Sequence, residues 1–399
     1  MQLRRQRSEG SGSRKTGDDW AVGAEYHRSM LGSATVIALA TAAWAVTRFY
    51  LEGPDLSRYD QGPRSPVSAA REPSAEHHEI LTLQHELSAS AAPWTGRSRL
   101  YAMRRKMDEM GDQADLSGIT IAPVRVTGVA GEWVLPPDRV PRRRLLYVHG
   151  GAFSMGSPRS HRGITTRLAR ISHAAVLAVD YRLMPEHRRL DGLSDCQTAY
   201  RSILAEGPEG SGTPETLFLA GDSAGGNLVL ALIAWARDAG LRAADAVVAV
   251  SPATDATFSG PSLLVNAATD PIVGPLLGRV ARLPRGVIVW LSWFVNGVRP
   301  CDPRVSPIHA DLSNLPPTLL HASEAEVLID DARRYVNKAR AAGSEVTLET
   351  WHHMLHVWHV FEHRLPEAQE AFRHIERFLE SHVARGATLG AAQRDSDLY

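Results

Sequence analysis

The apolar and polar positions divide the chain unevenly. Residues 1–28 are polar and rich in basic side chains, and the following stretch Met30–Val46 contains no charged residue. Residues 51–78 are rich in proline, serine, arginine and glycine, which is typical of a linker. Between residues 79 and 118 apolar side chains recur at helical spacing and predict two helices.

From residue 119 the pattern changes to short runs of β-branched residues or leucine, separated by helix-length segments. The runs lie at 119–126, 144–150, 174–181, 216–221, 246–251, 317–323 and 344–351. Strands that alternate with helices predict an α/β fold with a mostly parallel sheet and helices on both faces. We expect the last segment, 385–399, to form a disordered tail.

The uncharged stretch near the N-terminus has three interpretations. A membrane anchor over residues 29–50 fits the length, because a spanning helix needs about 17–25 residues. Basic residues before it would keep the N-terminus in the cytoplasm and export the remainder. Ala43-Trp44-Ala45 also has the small-x-small form of a signal-peptide cleavage site. The third interpretation is a buried helix of the domain. We expect an anchored or exported protein, with a cytoplasmic protein as the alternative.

Composition and charge exclude few functions. The chain of 399 residues is 44% apolar and 22% charged, which is ordinary for a globular protein with a sizeable core. Basic and acidic residues balance at 44 each, so no net charge favours binding to nucleic acid. The two cysteines, Cys196 and Cys301, fit no metal-ligand spacing, and we expect two unpaired thiols.

One serine lies in a context that favours nucleophilic catalysis. Ser223 is the centre of Gly221-Asp222-Ser223-Ala224-Gly225, between a predicted strand and a predicted helix. In this G-x-S-x-G arrangement the glycines permit a tight turn that raises the serine Oγ above the sheet. Such a serine needs a base to take its proton and donors that stabilise the oxyanion.

Candidate oxyanion donors follow two of the predicted strands. An early strand ends in His149-Gly150-Gly151, where this type of fold supplies half of its oxyanion hole. We therefore predict that the backbone N–H groups of Gly150, Gly151 and Ala224 form the hole. His149 is expected to brace the loop, and Asp222 to have a structural role.

Candidate acids follow the strand at 317–323. They are Glu324, Glu326, Asp330 and Asp331, in the chain order serine, acid, histidine that this arrangement requires. The two aspartates fall at the start of a predicted helix, where carboxylates are common for electrostatic reasons alone. The two glutamates in the loop remain as candidates.

Taken in order, several motifs resemble those of one enzyme family. "HGGAF", "DYRLMPEH", "GDSAGGN", "SEAEVLIDD" and "HHMLHVWHVF" are similar to motifs of the hormone-sensitive-lipase-like (bacterial family IV) carboxylesterases of the α/β-hydrolase superfamily. The resemblance covers about residues 119–383 and implies an α/β-hydrolase domain over 119–384. It also implies a cap made from residues 79–118 and an insertion at about 260–300.

The resemblance favours Glu326 as the acid, because Glu326-Val327-Leu328 matches a version of the family's acid loop. The loop departs from the family pattern in opening with Ser323 instead of glycine, and in having glutamate instead of aspartate. Either carboxylate can hold an imidazole in the required tautomer. Glu324 remains the alternative.

Four histidines occur within the nine residues Trp351–His359. His352, His356 and His359 are spaced so that a helix would place them on one face, where they could bind a metal. The stretch follows a predicted strand, however, and a loop there needs only one histidine as a base. Position alone allows His352, His353 or His356, and the family pattern selects His356.

The residues and the resemblance together predict a serine carboxylesterase or lipase-type hydrolase with the triad Ser223, Glu326 and His356. It would act on short- to medium-chain or lipophilic esters through an acyl-enzyme, with no cofactor and no metal. An amidase or peptidase, an acyltransferase and a non-catalytic binding protein on the same scaffold are the alternatives. Beyond the ester, a membrane contacted through residues 30–46 and a second copy in a homodimer are the expected partners.

Overall fold

The computed structural model describes residues 33–61, 72–90 and 95–396, so the predicted basic tail at 1–28 lies outside the described residues. The chain forms two compact units, Met1–Tyr50 and Leu51–Tyr399. Helix α1, Ser33–Leu51, runs to the first residue of the second unit and is π-helical over Val46–Leu51. By length and composition α1 could cross a membrane.

The second unit alternates strands and helices. Its strands are β1 (Thr120–Val126), β2 (Val129–Leu135), β3 (Arg143–Val148), β4 (Ala175–Asp180), β5 (Glu206–Gly207), β6 (Gly210–Ser211), β7 (Thr216–Asp222), β8 (Ala246–Val250), β9 (Thr318–Ser323) and β10 (Val346–Trp351). Its helices are α2 (Ala75–Ser90), α3 (Gly96–Gly111), α4 (Arg162–Ser172), α5 (Arg189–Ala205), α6 (Ala224–Asp238), α7 (Ser262–Val265), α8 (Gly274–Val280), α9 (Arg285–Asn296), α10 (Ile329–Ala341) and α11 (Pro366–Ser396).

Eight strands form one sheet in the order β1-β2-β4-β3-β7-β8-β9-β10. The six strands from β4 to β10 in this order are parallel, and β2 pairs antiparallel with both β1 and β4. This is the mostly parallel sheet that the alternation of strands and helices predicts. In such a sheet, catalytic groups gather in the loops at the carboxyl ends of the strands.

Strand β2 was not predicted from the sequence. It forms a hairpin with β1 through Thr127 and Gly128, both at positive φ, as a two-residue hairpin turn requires. Gly131 and Glu132 interrupt its apolar pattern. Glu132 is nevertheless buried, because Arg162 forms two hydrogen bonds with its carboxylate.

The sheet separates two apolar layers. On strand β3, Leu146 and Val148 face the layer that contains α5, α6 and α10, and the alternate residues Leu145 and Tyr147 face the layer with α4 and α11. Nearly every residue of the central strands is buried, which explains why these strands appear in the sequence as continuous apolar runs.

The start of the predicted linker is part of the catalytic unit. Residues 51–61, here called the strap, bury Leu51 and Leu56. The strap is fixed to α10, because Arg334 donates to the Asp60 carboxylate and Asn337 donates to the Tyr59 carbonyl oxygen. Two leucines and a few polar contacts therefore order a segment whose composition predicts a linker.

Helices also lie at both ends of the region that resembles the enzyme family. Helices α2 and α3 lie where two helices are predicted between residues 79 and 118, although α2 begins earlier, at Ala75. Helix α11 continues to Ser396, in contrast to the predicted disordered tail from 385. Alanine is frequent after Val383, and it favours the continuation of a helix.

Candidate active site

Ser223 occupies a strained turn between β7 and α6. Its backbone has φ 51° and ψ −115°, and α6 begins at the next residue. The turn requires small neighbours: a Cβ on Gly225 would lie 1.9 Å from the Val148 carbonyl oxygen, and one on Gly221 would lie 2.7 Å from the backbone of Gly225. The glycines therefore permit the close approach of β3, β7 and α6 that holds the serine at the carboxyl edge of the sheet.

His356 lies in the loop after β10, against the serine. Its Nε2 is 2.8 Å from Ser223 Oγ, and its Nδ1 is 3.0 Å from Glu326 Oε2. Burial opposes the charged imidazolium, but the hydrogen bond and the charge of Glu326 outweigh it, so the pKa of His356 is raised. An imidazole that donates from Nδ1 leaves Nε2 able to accept the serine proton.

Glu326 is fully buried in the loop after β9. Its Oε1 accepts hydrogen bonds from Ser251 Oγ at 2.8 Å and from the Ser323 backbone N–H at 2.9 Å, while Oε2 faces His356. Burial raises the pKa of Glu326, and the hydrogen bonds from His356 and Ser251 oppose this rise. Because the Ser323 contact comes from the backbone, serine can replace glycine at this position.

The alternative acid, Glu324, points elsewhere. Its carboxylate pairs with Arg333 of α10. The structure therefore brings Ser223, His356 and Glu326 into one hydrogen-bonded line and leaves Glu324 outside it.

The other three histidines of the cluster diverge from this line. His353 is exposed and His352 half-buried beside it. His359 is fully buried, and its Nε2 lies 3.1 Å from Nδ1 of His321, which in turn contacts Glu349. Within the described part of the chain, no group of three or more histidine, cysteine or acidic side chains could hold a metal ion.

The loop after β3 differs in one respect from its predicted role. The N–H of Gly150 donates to Asp222 Oδ1 at 3.0 Å, so this predicted oxyanion donor is already engaged. A Cβ at Gly150 would lie 2.1 Å from Asp222 Oδ2, which explains the glycine. The N–H groups of Gly151 and Ala152 donate no hydrogen bond to any described residue. Both residues have positive φ, 112° and 53°.

A buried network lies beneath this loop, as the expected bracing role of His149 and the expected structural role of Asp222 suggest. His149 stacks on Tyr181 with ring centroids 4.3 Å apart, and Tyr181 donates to the His149 carbonyl oxygen. Burial lowers the pKa of His149 to about 3, so this imidazole is neutral. Tyr147 donates to Asp222, and His161 Nε2 lies 3.4 Å from the other oxygen of Asp222.

Asp222 and His161 are both buried, and the charge of each affects the pKa of the other. Burial opposes both charges, but each partner favours the charge of the other. The pKa of Asp222 is consequently lowered and that of His161 is raised. The sequence does not identify His161, because its partner lies 61 positions further along the chain.

A second group missed by the sequence connects the same loop to α6. Arg189 is buried, its guanidinium carbon lies 3.4 Å from the centre of the Phe153 ring, and its Nη2 donates to Asn227 Oδ1 at 2.6 Å. Burial lowers the pKa of Arg189 to about 10. Asn227 lies one turn after Ser223 and donates to the carbonyl oxygens of Ala253 and Val305. These contacts fix the base of α6 against its surroundings.

The first half of the cap insertion contacts the acid loop directly. Asn266 Nδ2 donates to the carbonyl oxygens of Glu324 and Glu326, each at 2.8 Å. Asp270 Oδ2 accepts from the Val327 backbone N–H at 3.1 Å, and its other oxygen accepts from two N–H groups in the turn before α8. The cap therefore contributes to the position of the acid.

Comparison with known proteins agrees with this geometry. The sequence signature of the alpha/beta hydrolase fold matches residues 145–360. An acetyl-hydrolase of Streptomyces hygroscopicus is 39% identical over 263 residues, which cover 66% of this chain and 83% of that protein. The carboxylesterase NlhH of Mycobacterium tuberculosis is 34% identical over 262 residues, covering 64% of this chain and 76% of that protein.

Comparison with a solved structure shows that the similarity includes the three-dimensional fold. An esterase from the bacterial hormone-sensitive lipase family is 33% identical, with a TM-score of 0.68, and the alignment covers 78% of this chain and 99% of that one.

Proposed function

The chain belongs to the hormone-sensitive-lipase-like carboxylesterases of the α/β-hydrolase fold and is a serine ester hydrolase, and we propose that Ser223, His356 and Glu326 are its catalytic triad. The observation that carries this proposal is the continuous line of hydrogen bonds from Ser223 Oγ through both nitrogens of His356 to the buried Glu326 carboxylate. Glu324, paired with Arg333, has no part in it.

In the proposed reaction Ser223 Oγ attacks the ester carbonyl carbon while His356 Nε2 takes the serine proton. The tetrahedral intermediate collapses to an acyl-enzyme, and His356 gives the proton to the departing alcohol. Water then attacks the acyl-enzyme with His356 again as base, which releases the carboxylic acid and restores Ser223. Glu326 orients the imidazole and stabilises its charged form throughout.

We assign the oxyanion hole to the N–H groups of Gly151, Ala152 and Ala224. Gly151 and Ala224 keep their predicted roles, and Ala152 replaces Gly150, whose N–H is bound by Asp222. Ala224 is the first residue of α6, so its N–H has no acceptor within the helix. Gly150 then acts indirectly, by attaching the loop to Asp222 beside the nucleophile.

The substrate class is an ester with a short to medium acyl chain or with lipophilic groups. The S. hygroscopicus relative is named an acetyl-hydrolase, which favours the short end of this range.

The test uses p-nitrophenyl esters of increasing chain length. We expect Ser223→Ala to lower kcat by about 10⁶ and Glu326→Gln by about 10⁴, with KM little changed. Glu324→Gln, a matched change two residues away, should retain wild-type kcat because that carboxylate binds Arg333. Equal losses for the two glutamine variants would contradict the assignment of the acid.

We also propose that α1 anchors the protein in a membrane, with the catalytic unit on the exported side. The helix spans 19 residues and exposes large apolar side chains such as Val36, Ile37 and Leu39. A cleaved signal peptide makes the same prediction of export but releases the enzyme. Sequencing the N-terminus of the mature protein and recovering it from the membrane fraction separates these outcomes, and a protein found wholly in the cytosol would contradict both.

A further inference from the structure

Helix α9 in the cap directs large apolar side chains outward, where a surface helix usually has polar ones. Its outward side chains are Val287, Leu291, Phe294 and Val295, with exposed fractions of 44%, 48%, 85% and 63%. They are spaced i, i+4, i+7 and i+8, which places them on one side of a helix. Helices at a protein surface normally direct polar residues outward. We call this side the α9 outer face.

The polar residues of α9 form hydrogen bonds within the protein and do not make its outer face more polar. Ser292 is buried and donates to the Ala256 carbonyl oxygen, and Asn296 donates back to Ser292. The helix carries no charge after Arg285, its first residue. The neighbouring cap helices α7 and α8 also expose large apolar side chains, among them Val265 and Leu276.

The cap segment that contains α9 carries only basic charges. The segment 271–301 contains four arginines and no acidic residue. All four are exposed: Arg279, Arg282, Arg285 and Arg299. A surface helix with an apolar face and a basic surround fits the interfacial region of a bilayer that contains anionic lipids.

The strap ends beside the base of this helix. Glu52 Oε1 lies 3.3 Å from Arg285 Nε, and Leu51, the residue before Glu52, is buried in the catalytic unit. The chain leaves the catalytic unit at Leu51, where α1 ends. If α1 is anchored in a bilayer, the chain connection at Leu51 alone keeps Glu52 and its partner Arg285 near that bilayer.

From these observations we propose that the α9 outer face docks on a lipid bilayer containing anionic lipids. Val287, Leu291, Phe294 and Val295 enter the interfacial region, and the surrounding arginines contact lipid headgroups. The enzyme then takes its ester from the membrane rather than from the aqueous phase. This inference rests on the proposed function, since it concerns the source of that enzyme's substrate.

The first experiment locates residue 294 directly. The full chain carrying Phe294→Cys is labelled with a polarity-sensitive fluorophore and mixed with vesicles of phosphatidylcholine and phosphatidylglycerol. Val140→Cys is the control, because Val140 is an exposed apolar residue just before β3, at the edge of the sheet away from the active site. Cys196 and Cys301 are buried in both proteins.

We expect lipids with a quencher near the headgroup to quench the label at residue 294 but not the label at residue 140. Aqueous iodide should act in the opposite order. A label at residue 294 that iodide quenches equally with and without vesicles would overturn the proposal. Protection from both quenchers, together with a larger particle in solution, would overturn it in favour of contact with a second copy.

The second experiment connects docking with turnover. We expect Leu291→Asp/Phe294→Asp to leave hydrolysis of soluble p-nitrophenyl acetate unchanged and to slow hydrolysis of a long-chain ester dissolved in the same vesicles by about tenfold or more. Vesicles of phosphatidylcholine alone should give a smaller difference. Equal rates on the vesicle ester would contradict docking. A wild-type enzyme inactive on the soluble ester would instead contradict the proposed function.

Discussion

Helices α6 and α9 have similar lengths and similarly apolar sequences, yet they meet opposite surroundings. Twelve of the 15 residues of α6 are buried, against three of the 12 residues of α9. Helix α6 begins directly after Ser223, the proposed nucleophile, and lies within the core, so nearly every side of it contacts protein. Helix α9 turns one apolar side outward. An apolar helix is therefore not evidence of burial, and its environment depends on what the rest of the chain places around it.

We expect the largest difference between the two helices for a glycine of α6 and the glycine that ends α9. We expect Gly225→Ala to cost more than about 4 kcal/mol of folding free energy or to abolish activity, because its Cβ would meet the Val148 carbonyl oxygen. Gly297, at the end of α9, has φ 65° and open space around it, so Gly297→Ala should cost only about 1 kcal/mol. Urea unfolding and ester hydrolysis measure both. A comparable loss in the two variants would mean that steric contact at α6 is not the constraint.

Leucine truncation gives the next largest difference. Leu228 of α6 is fully buried and Leu291 of α9 is 48% exposed. We expect Leu228→Ala to lower the free energy of unfolding by about 2–5 kcal/mol. Leu291→Ala should change it by about 0.5 kcal/mol or less when no vesicles are present. A large loss at Leu291 in solution would show that the α9 outer face is covered by protein.

The smallest effect concerns the pH dependence of the network at the base of α6. The raised pKa of His161 contributes stability that is fully present below its ordinary value of 6.5 and is lost as the pH rises through the folded-state pKa. The lowered pKa of Asp222 contributes stability above pH 3.8 that is lost as the pH falls through its own folded-state value.

Replacing the titrating partner isolates this contribution. We expect the free energy of unfolding of His161→Asn to fall less steeply above pH 6.5 than that of the wild type. His356 also has a raised pKa, but it is present in both proteins and cancels in the difference. Parallel profiles for the two proteins would show that the Asp222–His161 pair is not charged in the folded state.

Much of this arrangement can be predicted from the sequence, because local patterns carry it. The runs that become β3, β7 and β9 each contain consecutive apolar residues, and the glycines around Ser223 specify a turn within a few residues. The histidine cluster is local as well, although the family resemblance was needed to choose His356. The mostly parallel sheet follows from the same alternation of strands and helices.

The features that the sequence did not reveal depend on contacts between residues that are far apart along the chain. From the sequence alone, Glu132 of β2 suggests a position exposed to solvent, and only the fold shows that it is buried beside Arg162. The N–H of Gly150 looks available until the fold brings Asp222, 72 positions away, within hydrogen-bond distance. The strap likewise resembles a linker until Asp60 meets Arg334, 274 positions away. Such contacts are properties of the folded chain, and no local periodicity records them.

The contacts from Asn266 and Asp270 to the acid loop have a consequence for protein engineering. An exchange of the cap that keeps the sheet unchanged is one way to alter the specificity of a capped hydrolase. Residues 266–270 would have to be kept together with the sheet, because they hold the loop that carries Glu326. A transplanted cap that begins after residue 273 would leave the proposed catalytic acid in place, whereas one that begins at residue 260 would bring a foreign support for it.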